Sequence, residues 1–425
     1  MNKQIKFALI GAGNRGQGTY GQYALDLPHR AKFTAVVEPD REKREFFAAK
    51  HNIPAERTFS DYNDFFHAKI KDVDGVIIAT FEDHRLKPAL KSMEKGYHIL
   101  IEKPLCTNAA DLIRFHDAAK DYSGIMIVCH QLRLTPRLRL IKDLVDSGRY
   151  GEIVCIQHSE NVEYGHMAHS FVRGFYNSSR QSSMLLSKCC HDLDWLYYLT
   201  GKKAKRIASF GSLKYFRREN CPEGAPKFCL DGCKHYSSCP YHVMKLYFEA
   251  DTDPASLRQM GVVRDKDHLR ELLMKNRFGR CVFQTDNDVV DNQTVQIEFE
   301  DGIHASFTMC GHNAIDRRMV KLSMTNGEIE YTNFDGVSGT VLAHSFEPDR
   351  KEEISVKSKG AHGGGDRTIL DNFMDAIDSG DKSILFTPFK DSLEGHLMVF
   401  AAEESRISGK VVNVREYEDM IRKTL

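Results

Sequence analysis

Apolar and polar residues follow one another in the first part of the chain as in a parallel sheet covered by helices. Short, almost wholly apolar runs predict strands at Lys6–Ile10, Phe33–Val37, Gly75–Ala79, Ile99–Ile101 and Ile125–Val128. Such runs are expected where both faces of a strand are buried. The segments between them predict helices near Tyr20–Leu27, Arg41–Lys50, Tyr62–His67, Arg85–Lys95 and Ala109–Lys120. The pattern predicts an α/β domain with a doubly wound parallel sheet over residues 1–131.

The pattern changes after residue 131, and we predict a second domain over residues 132–425. A helix is expected at Pro136–Ser147 and a strand at Ile153–Val162. Strict alternation between Thr294 and Glu330 is typical of antiparallel strands with one solvated face. Helices are expected at residues 366–379 and 391–407. The cysteine-rich and charged stretch near 213–280 is interpreted as an insertion in this domain.

Composition narrows the class of protein. The chain has 425 residues, of which 41% are hydrophobic, and its 59 basic and 59 acidic residues balance. This balance gives no support for a nucleic-acid partner. No apolar run approaches the roughly 20 residues of a membrane span. With no export signal evident and an odd number of cysteines, 11, a cytoplasmic location with reduced thiols is expected.

A glycine-rich turn follows the first predicted strand. Gly11-Ala12-Gly13-Asn14-Arg15-Gly16 has the GxGxxG spacing of a dinucleotide-binding turn. Gly11 would allow the tight turn, Gly13 the approach of a pyrophosphate, and Gly16 close packing of the next helix. Glu38 ends the second strand, where a carboxylate binds the adenosine ribose and repels a 2′-phosphate. NAD is therefore favoured over NADP, although Arg41 leaves the phosphate alternative open.

Other polar residues follow later strands of the predicted parallel sheet. Ala79-Thr80 leads to His84, and the strand at Ile101 continues into Glu102-Lys103-Pro104. Ligands of open parallel sheets bind beyond the carboxyl ends of the strands, so Lys103 is predicted to face the same crevice as the glycine turn. A lysine beside a cofactor can transfer protons. Alternatively, Lys103 only pairs with Glu102.

These motifs together resemble the Gfo/Idh/MocA family of nicotinamide-dependent oxidoreductases, most of which act on sugars and polyols. Further matches are Arg133 with Pro136, the Gly148-Arg149-Tyr150-Gly151 run, and His191-Asp192-Leu193-Asp194 at the head of a helix. The resemblance implies an N-terminal Rossmann domain and a C-terminal α/β domain with an open, mainly antiparallel sheet. It also implies a homodimer or homotetramer, because that sheet commonly forms oligomer contacts.

The resemblance also implies roles for individual residues. His191 would remove a hydroxyl proton as hydride leaves the same carbon, while Lys103 would bind that hydroxyl. Cofactor contacts would come from Gly11, Gly13, Asn14, Arg15, Gly16, Glu38, Thr80, His84, Glu102 and Lys103. One departure is Ser187, which stands where dehydrogenases of the family usually carry an aspartate four residues before the histidine. Either Asp192 or Asp194 substitutes for it, or the catalytic balance differs.

Two further groups of residues are candidates. Histidines and an arginine among glycines and aromatic residues suit a polyhydroxylated ring, so substrate contacts are predicted at His169, Arg173, Asp194 and His362. Each could instead make an ordinary hydrogen bond in a loop. The second group consists of Cys221, Cys229, Cys233 and Cys239. These four thiols could hold a structural zinc ion, although their spacing is not that of a familiar CxxC pair. Unpaired thiols are the alternative.

Three functions follow from these observations. The first is an NAD-dependent sugar or polyol dehydrogenase. The second is an NAD-dependent glycoside hydrolase that oxidises a ring hydroxyl, eliminates the aglycone, adds water and reduces the ketone again; Ser187 and the histidine-rich segments keep it open. The third is an NAD(H)-binding regulatory protein, against which the presence of Lys103 and His191 argues.

Overall fold

The computed structural model describes residues 4–250, 257–261, 263–333, 338–357 and 361–425. Its first sheet consists of parallel strands in the order β3-β2-β1-β4-β5-β6. These strands are β1 Ile5–Ile10, β2 Ala31–Val37, β3 Thr58–Phe59, β4 Gly75–Ile78, β5 His98–Ile101 and β6 Met126–Val128. The predicted doubly wound sheet is confirmed. The pattern missed only the two-residue strand β3, which is too short to show a period.

Both faces of the first sheet are covered, which explains its continuous apolar runs. In β1, Phe7 and Leu9 face one apolar cluster, whereas Ala8 and Ile10 face the other. The covering helices are α1 Gln22–Asp26, α2 Arg41–His51, α3 Tyr62–His67, α4 Leu86–Glu94 and α5 Ala109–Ala119. The helix after the glycine turn begins earlier than predicted, as a π-helical segment at Arg15–Gly21. Its glycines hide the periodicity on which the prediction relied.

The second sheet has the order β14-β13-β12-β11-β7-β10-β9-β8-β15. β7 and β10 pair in parallel and the other neighbours are antiparallel, so the predicted mainly antiparallel sheet is confirmed. The strands are β7 Ile153–Glu163, β8 Ala204–Ser212, β9 Asn292–Phe299, β10 His304–Asn313, β11 Arg317–Met324, β12 Gly327–Asn333, β13 Ser338–Ser345, β14 Arg350–Lys357 and β15 Val412–Asn413.

The remaining described α-helices follow β6 in the chain. They are α6 Pro136–Asp146, α7 Tyr164–His166, α8 Met184–Ser187, α9 Cys190–Thr200, α10 Lys266–Lys275, α11 Gly365–Ser379, α12 Ser392–Ser408 and α13 Val414–Arg422. α11 returns to the first sheet, where Phe373 stacks on Phe7 with ring centroids 5.9 Å apart. The domain limit at residue 131 remains a prediction. No described helix is long and apolar enough to cross a membrane.

Candidate active site

The glycine turn forms an open cradle at the end of β1. Gly11 has φ +97°, and a Cβ there would lie 2.8 Å from the Ala79 carbonyl carbon. A Cβ on Gly16 would lie 2.1 Å from the Gly11 oxygen, so the helix packs directly on the turn. A Cβ on Gly13 would meet no atom within 4 Å. The cradle therefore has the close packing and the free space that a dinucleotide pyrophosphate needs.

Glu38 lies directly beside this cradle. Its Oε2 accepts a hydrogen bond from the Ala12 N–H at 2.8 Å, and its Oε1 accepts one from the Asp40 N–H at 3.1 Å. The carboxylate is thus held between the glycine turn and the start of α2. This position, at the end of β2, suits an acceptor of ribose hydroxyls.

Arg15, in the glycine turn, forms an ion pair with Glu102. Arg15 Nε donates to Glu102 Oε1 at 2.6 Å, and Arg15 Nη2 donates to Asp366 Oδ1 at 2.6 Å. Glu102 also accepts a hydrogen bond from the Tyr20 hydroxyl. Burial opposes the ionisation of Glu102, but Arg15 and Tyr20 outweigh it, and the pKa of Glu102 is lowered. Both residues thus bind other side chains of the protein. A direct contact of either residue with the cofactor stays a prediction.

Lys103 lies at the carboxyl end of β5, and its side chain extends to the end of α8. Its Nζ donates to the Ser187 carbonyl oxygen at 2.9 Å, so it does not simply pair with Glu102. Arg85 holds the following turn, because it donates to the carbonyl oxygens of both Thr80 and Pro104. The structure thus brings the predicted Lys103 next to the segment that precedes His191.

The turn after Lys103 is also held by His396, which lies in α12. His396 Nε2 accepts a hydrogen bond from the Leu105 N–H at 3.1 Å, and its Nδ1 lies 2.8 Å from the Ser392 oxygen. Burial lowers the pKa of His396 to about 4. The ring is therefore neutral near pH 7 and acts as a fixed acceptor.

His191 is the second residue of α9 and is only 4% exposed. Its ring centroid lies 6.2 Å from that of His130, which is itself fully buried. His130 Nδ1 lies 3.4 Å from Asp194 Oδ2. Burial, together with His396, Arg133 and Lys103, lowers the pKa of His130 well below its usual value. His130 is the second residue after β6, as Lys103 is after β5, so the rule that located Lys103 at the end of a strand could also have located His130.

The two candidate substitutes for the missing aspartate are both bound to arginines. Asp192 accepts hydrogen bonds from Arg318 Nε at 2.7 Å, and one of its oxygens lies 2.8 Å from His158 Nε2. Asp194 accepts two from Arg133, at 2.8 and 2.7 Å. Both carboxylates are fully buried. These pairs anchor the first turns of α9, which carries His191, and a substrate contact for Asp194 stays a prediction.

The predicted substrate residues His169 and Arg173 lie beneath the surface, at 5% and 1% exposure. Arg173 donates to the Arg280 and Tyr241 carbonyl oxygens at 2.6 and 2.7 Å. His169 stacks on Phe278 with ring centroids 4.8 Å apart. Both residues therefore join the π-helical segment Met167–Arg173 to the cysteine-rich region. The side chain of His362 lies outside the described residues, and His84 is exposed, 3.7 Å from Asp83.

The predicted zinc site is not supported. Within the described part of the chain, no group of three or more His, Cys, Asp or Glu residues is arranged to hold a metal ion. The four candidate thiols are free. Cys229 Sγ instead lies 3.6 Å from Arg173 Nη2, and Cys221 Sγ lies 3.6 Å from Gln284 Nε2. Spacing along the chain counts possible ligands but does not fix where their sulfur atoms point.

Comparison with known proteins agrees with this geometry. Residues 5–130 match the sequence profile of the Gfo/Idh/MocA oxidoreductase family with its NAD-binding Rossmann fold. YteT of Bacillus subtilis, whose name places it among oxidoreductases, is 24% identical over 78% of this chain and 80% of its own. The inositol 2-dehydrogenase of Corynebacterium glutamicum (strain R) is 27% identical over 49% of this chain and 57% of its own.

Two solved structures share the fold over nearly the whole chain. A levoglucosan dehydrogenase bound to NADH and L-sorbose has a TM-score of 0.71 at 18% identity, covering 97% of this chain and 99% of that one. The aldose-aldose oxidoreductase of Caulobacter crescentus bound to glycerol has a TM-score of 0.65 at 16% identity, covering 96% and 99%.

The glycine cradle, the parallel sheet and the family match define an NAD(P)-binding oxidoreductase. Over residues 5–130 the chain matches the Gfo/Idh/MocA family, the family that its motifs had predicted.

Proposed function

We propose that this protein is an NAD-dependent dehydrogenase that oxidises a hydroxyl-bearing carbon of a sugar or polyol. The observation that carries the proposal is the contact of Lys103 Nζ with the Ser187 oxygen at 2.9 Å. It places an ammonium group from the cofactor-binding sheet beside the helix that carries His191. Similarity to an inositol 2-dehydrogenase and to a levoglucosan dehydrogenase supports a polyhydroxylated substrate.

The residues divide the work of alcohol oxidation between them. A bound NAD supplies the acceptor for the hydride that leaves the carbinol carbon. Lys103 uses one of its three N–H donors on Ser187, and another binds and orients the substrate hydroxyl oxygen. His191 accepts the hydroxyl proton as the O–H bond breaks and the C=O bond forms. Arg85 and His396 act as positioning residues, because they hold the turn that aims Lys103.

We also propose NAD rather than NADP as the cofactor. The support is the Glu38 carboxylate, which is fixed by two backbone N–H groups next to the glycine cradle. A ribose 2′-phosphate brought there would meet a like charge, whereas the 2′-hydroxyl of NAD would find an acceptor.

The second sheet supports a homodimer or homotetramer. One row of side chains crosses its open face through successive strand pairs: Phe210, Thr294, Thr308, Ser159, Met319, Thr332 and Thr340. Phe210 and Met319 are 71% and 41% exposed, and Leu342, on the same face, is 47% exposed. Light scattering on the wild type and on Phe210→Glu/Leu342→Glu tests this. An unchanged mass in the double variant would argue against contact through this face.

The dehydrogenase proposal is tested by following NADH formation with NAD and a panel of free sugars, polyols and aryl glycosides. We expect net NADH with a sugar or polyol and its loss in both Lys103→Met and His191→Asn. Matched controls are Lys95→Met and His67→Asn, at exposed positions outside the site. Aglycone release without net NADH would favour the NAD-dependent hydrolase instead. Bound NAD with neither activity would favour a regulatory protein.

A further inference from the structure

Two exposed aromatic rings from different parts of the chain meet at the edge of the active-site cleft. Phe81 follows Thr80 at the end of β4, and Phe175 follows the π-helical segment Met167–Arg173. Their ring centroids lie 5.7 Å apart at 58°. Phe81 is 41% exposed and Phe175 is 36% exposed, although most large apolar side chains here are buried. Arg85 binds both the Thr80 and Pro104 oxygens, which places Phe81 beside the turn of Lys103.

An arginine completes this edge. The Arg277 guanidinium carbon lies 5.2 Å from the centroid of the Phe175 ring, and Arg277 Nε donates to the Arg173 carbonyl oxygen. Stacking and this hydrogen bond fix the side chain, so a ligand would not have to order it. We call Phe81, Phe175 and Arg277 the aromatic–arginine rim.

The surroundings of Arg277 are rich in cations. Arg173 and Arg280 lie next to it, and Arg280 pairs with Asp286 at 3.4 Å. Among the described ion pairs, neither Arg277 nor Arg173 has a carboxylate partner within 4.0 Å. Burial lowers the pKa of Arg277; Asp286 opposes this effect and Arg280 reinforces it. Arg173 Nη1, Arg280 Nε and Asn276 Nδ2 are also buried donors without a hydrogen-bond partner. Three arginines therefore lie together here, beside the exposed carboxylate of Asp286.

We propose that the aromatic–arginine rim is a subsite for the carboxylate of an acidic sugar, so that the substrate class is a uronic acid or its glycoside. The apolar face of the pyranose ring would pack on Phe81 and Phe175, since both rings are partly exposed. The carboxylate would pair with the planar fork of Arg277. This assignment rests on the proposed dehydrogenase function, because it places the sugar ring between the rim and Lys103.

The test compares matched pairs of substrates that differ only at the carboxylate. The full-length enzyme with NAD is assayed on glucuronate against glucose, on galacturonate against galactose, and on the methyl glycosides of each. A charge-assisted pair of this kind predicts about a ten- to one-hundredfold higher kcat/KM for the acid. The preference should fall as salt concentration rises, because Arg277 is only partly buried.

Variants locate the preference on the rim. Arg277→Gln should raise KM for the acid about tenfold or more and affect the neutral partner much less. Arg277→Lys should recover part of the loss, since it restores the charge without the fork. Phe81→Ala should weaken the binding of the acid and of the neutral sugar to a similar extent. The matched control is Arg270→Gln, because Arg270 is likewise stacked on a phenylalanine, Phe248, at 5.2 Å.

Equal turnover of acid and neutral sugars, or equal losses for both in Arg277→Gln, would overturn the subsite while leaving the dehydrogenase intact. Calorimetric binding of glucuronate to the enzyme with NADH separates the two proposals. Binding that depends on Arg277 without turnover of any alcohol would refute the dehydrogenase and retain the subsite. If Arg277→Gln fails to fold, the salt dependence of wild-type selectivity and the Arg277→Lys variant still decide.

Discussion

The ion pair between Arg133 and Asp194 is a fully buried charge contact that anchors the helix carrying His191. Two hydrogen bonds join the side chains at 2.8 and 2.7 Å, and their side chains are 2% and 0% exposed. Replacing Asp194 with asparagine would leave the guanidinium buried without its counter-charge. Breaking one partner of such a pair costs about 3–5 kcal/mol. The Arg133 guanidinium also lies 3.8 Å from an Asp391 carboxylate oxygen and 4.8 Å from the centroid of the Tyr198 ring, and both contacts offset part of this cost. We therefore expect Asp194→Asn to lower the free energy of unfolding by about 3 kcal/mol.

Urea unfolding measures this loss, with Asp146→Asn as the control. Asp146 belongs to a surface pair with Lys142 in which its side chain is 57% exposed, so its removal should cost less than about 0.5 kcal/mol. A double-mutant cycle with Arg133→Met isolates the coupling between the two groups. A loss of less than about 1 kcal/mol in the free energy of unfolding of Asp194→Asn, together with a coupling energy near zero, would show that this pair does not stabilise the site. NADH formation should also fall in this variant, since Asp194 anchors the helix that carries His191.

Three further predictions concern the cofactor site and acid stability. Glu38→Ser should shift the ratio of kcat/KM values towards NADP by about tenfold or more, because it removes the like charge; an unchanged ratio would contradict the role of Glu38. Gly13→Ala should raise KM for NAD but keep the melting temperature, since its Cβ meets no protein atom, whereas Gly16→Ala should lower both binding and melting temperature. For Asp291, burial opposes ionisation, but hydrogen bonds from His312 and from the Lys214 and Tyr215 N–H groups outweigh it and lower its pKa to about 2. Because its pKa is depressed in the folded protein, this carboxylate contributes about 2 kcal/mol of stability above pH 3.8, the ordinary pKa of an aspartate, and the contribution is lost as the pH falls towards 2. The Asp291→Asn variant should therefore be less stable at neutral pH, and its melting temperature should fall less steeply as the pH is lowered. A fall as steep as in the wild type would contradict this.

Most of the parallel sheet could be predicted from the sequence because its signal is local. Each buried strand is a run of apolar neighbours, and the glycine spacing lies within six residues. Strands such as β13 and β14 were missed because their alternation is weak: Leu342 is exposed on one of them, and charged residues dominate the other. The start of the first helix was also missed, because a π-helical turn does not follow the 3.6-residue period.

The site was predicted in part for the same reason. Lys103 and His191 stand in recognisable local motifs, and the structure brings the Lys103 amine to the segment that precedes His191. Arg85 and His130 carry no such motif, because their importance comes from partners far away along the chain. The candidate thiols show the opposite case, since a suggestive spacing is not matched by a metal-binding arrangement among the described residues.

By itself, the sequence determined the resemblance to the family, five of the six strands of the first sheet and the glycine turn, because these depend on near neighbours. Only the tertiary structure decided which charges pair. Arg15 faces Glu102 and Asp366, Arg133 faces Asp194, and Arg277 stands at the edge of the cleft without a carboxylate among the described ion pairs. Electrostatic partners are chosen by distance in space and by burial, and neither can be read from separation along the chain.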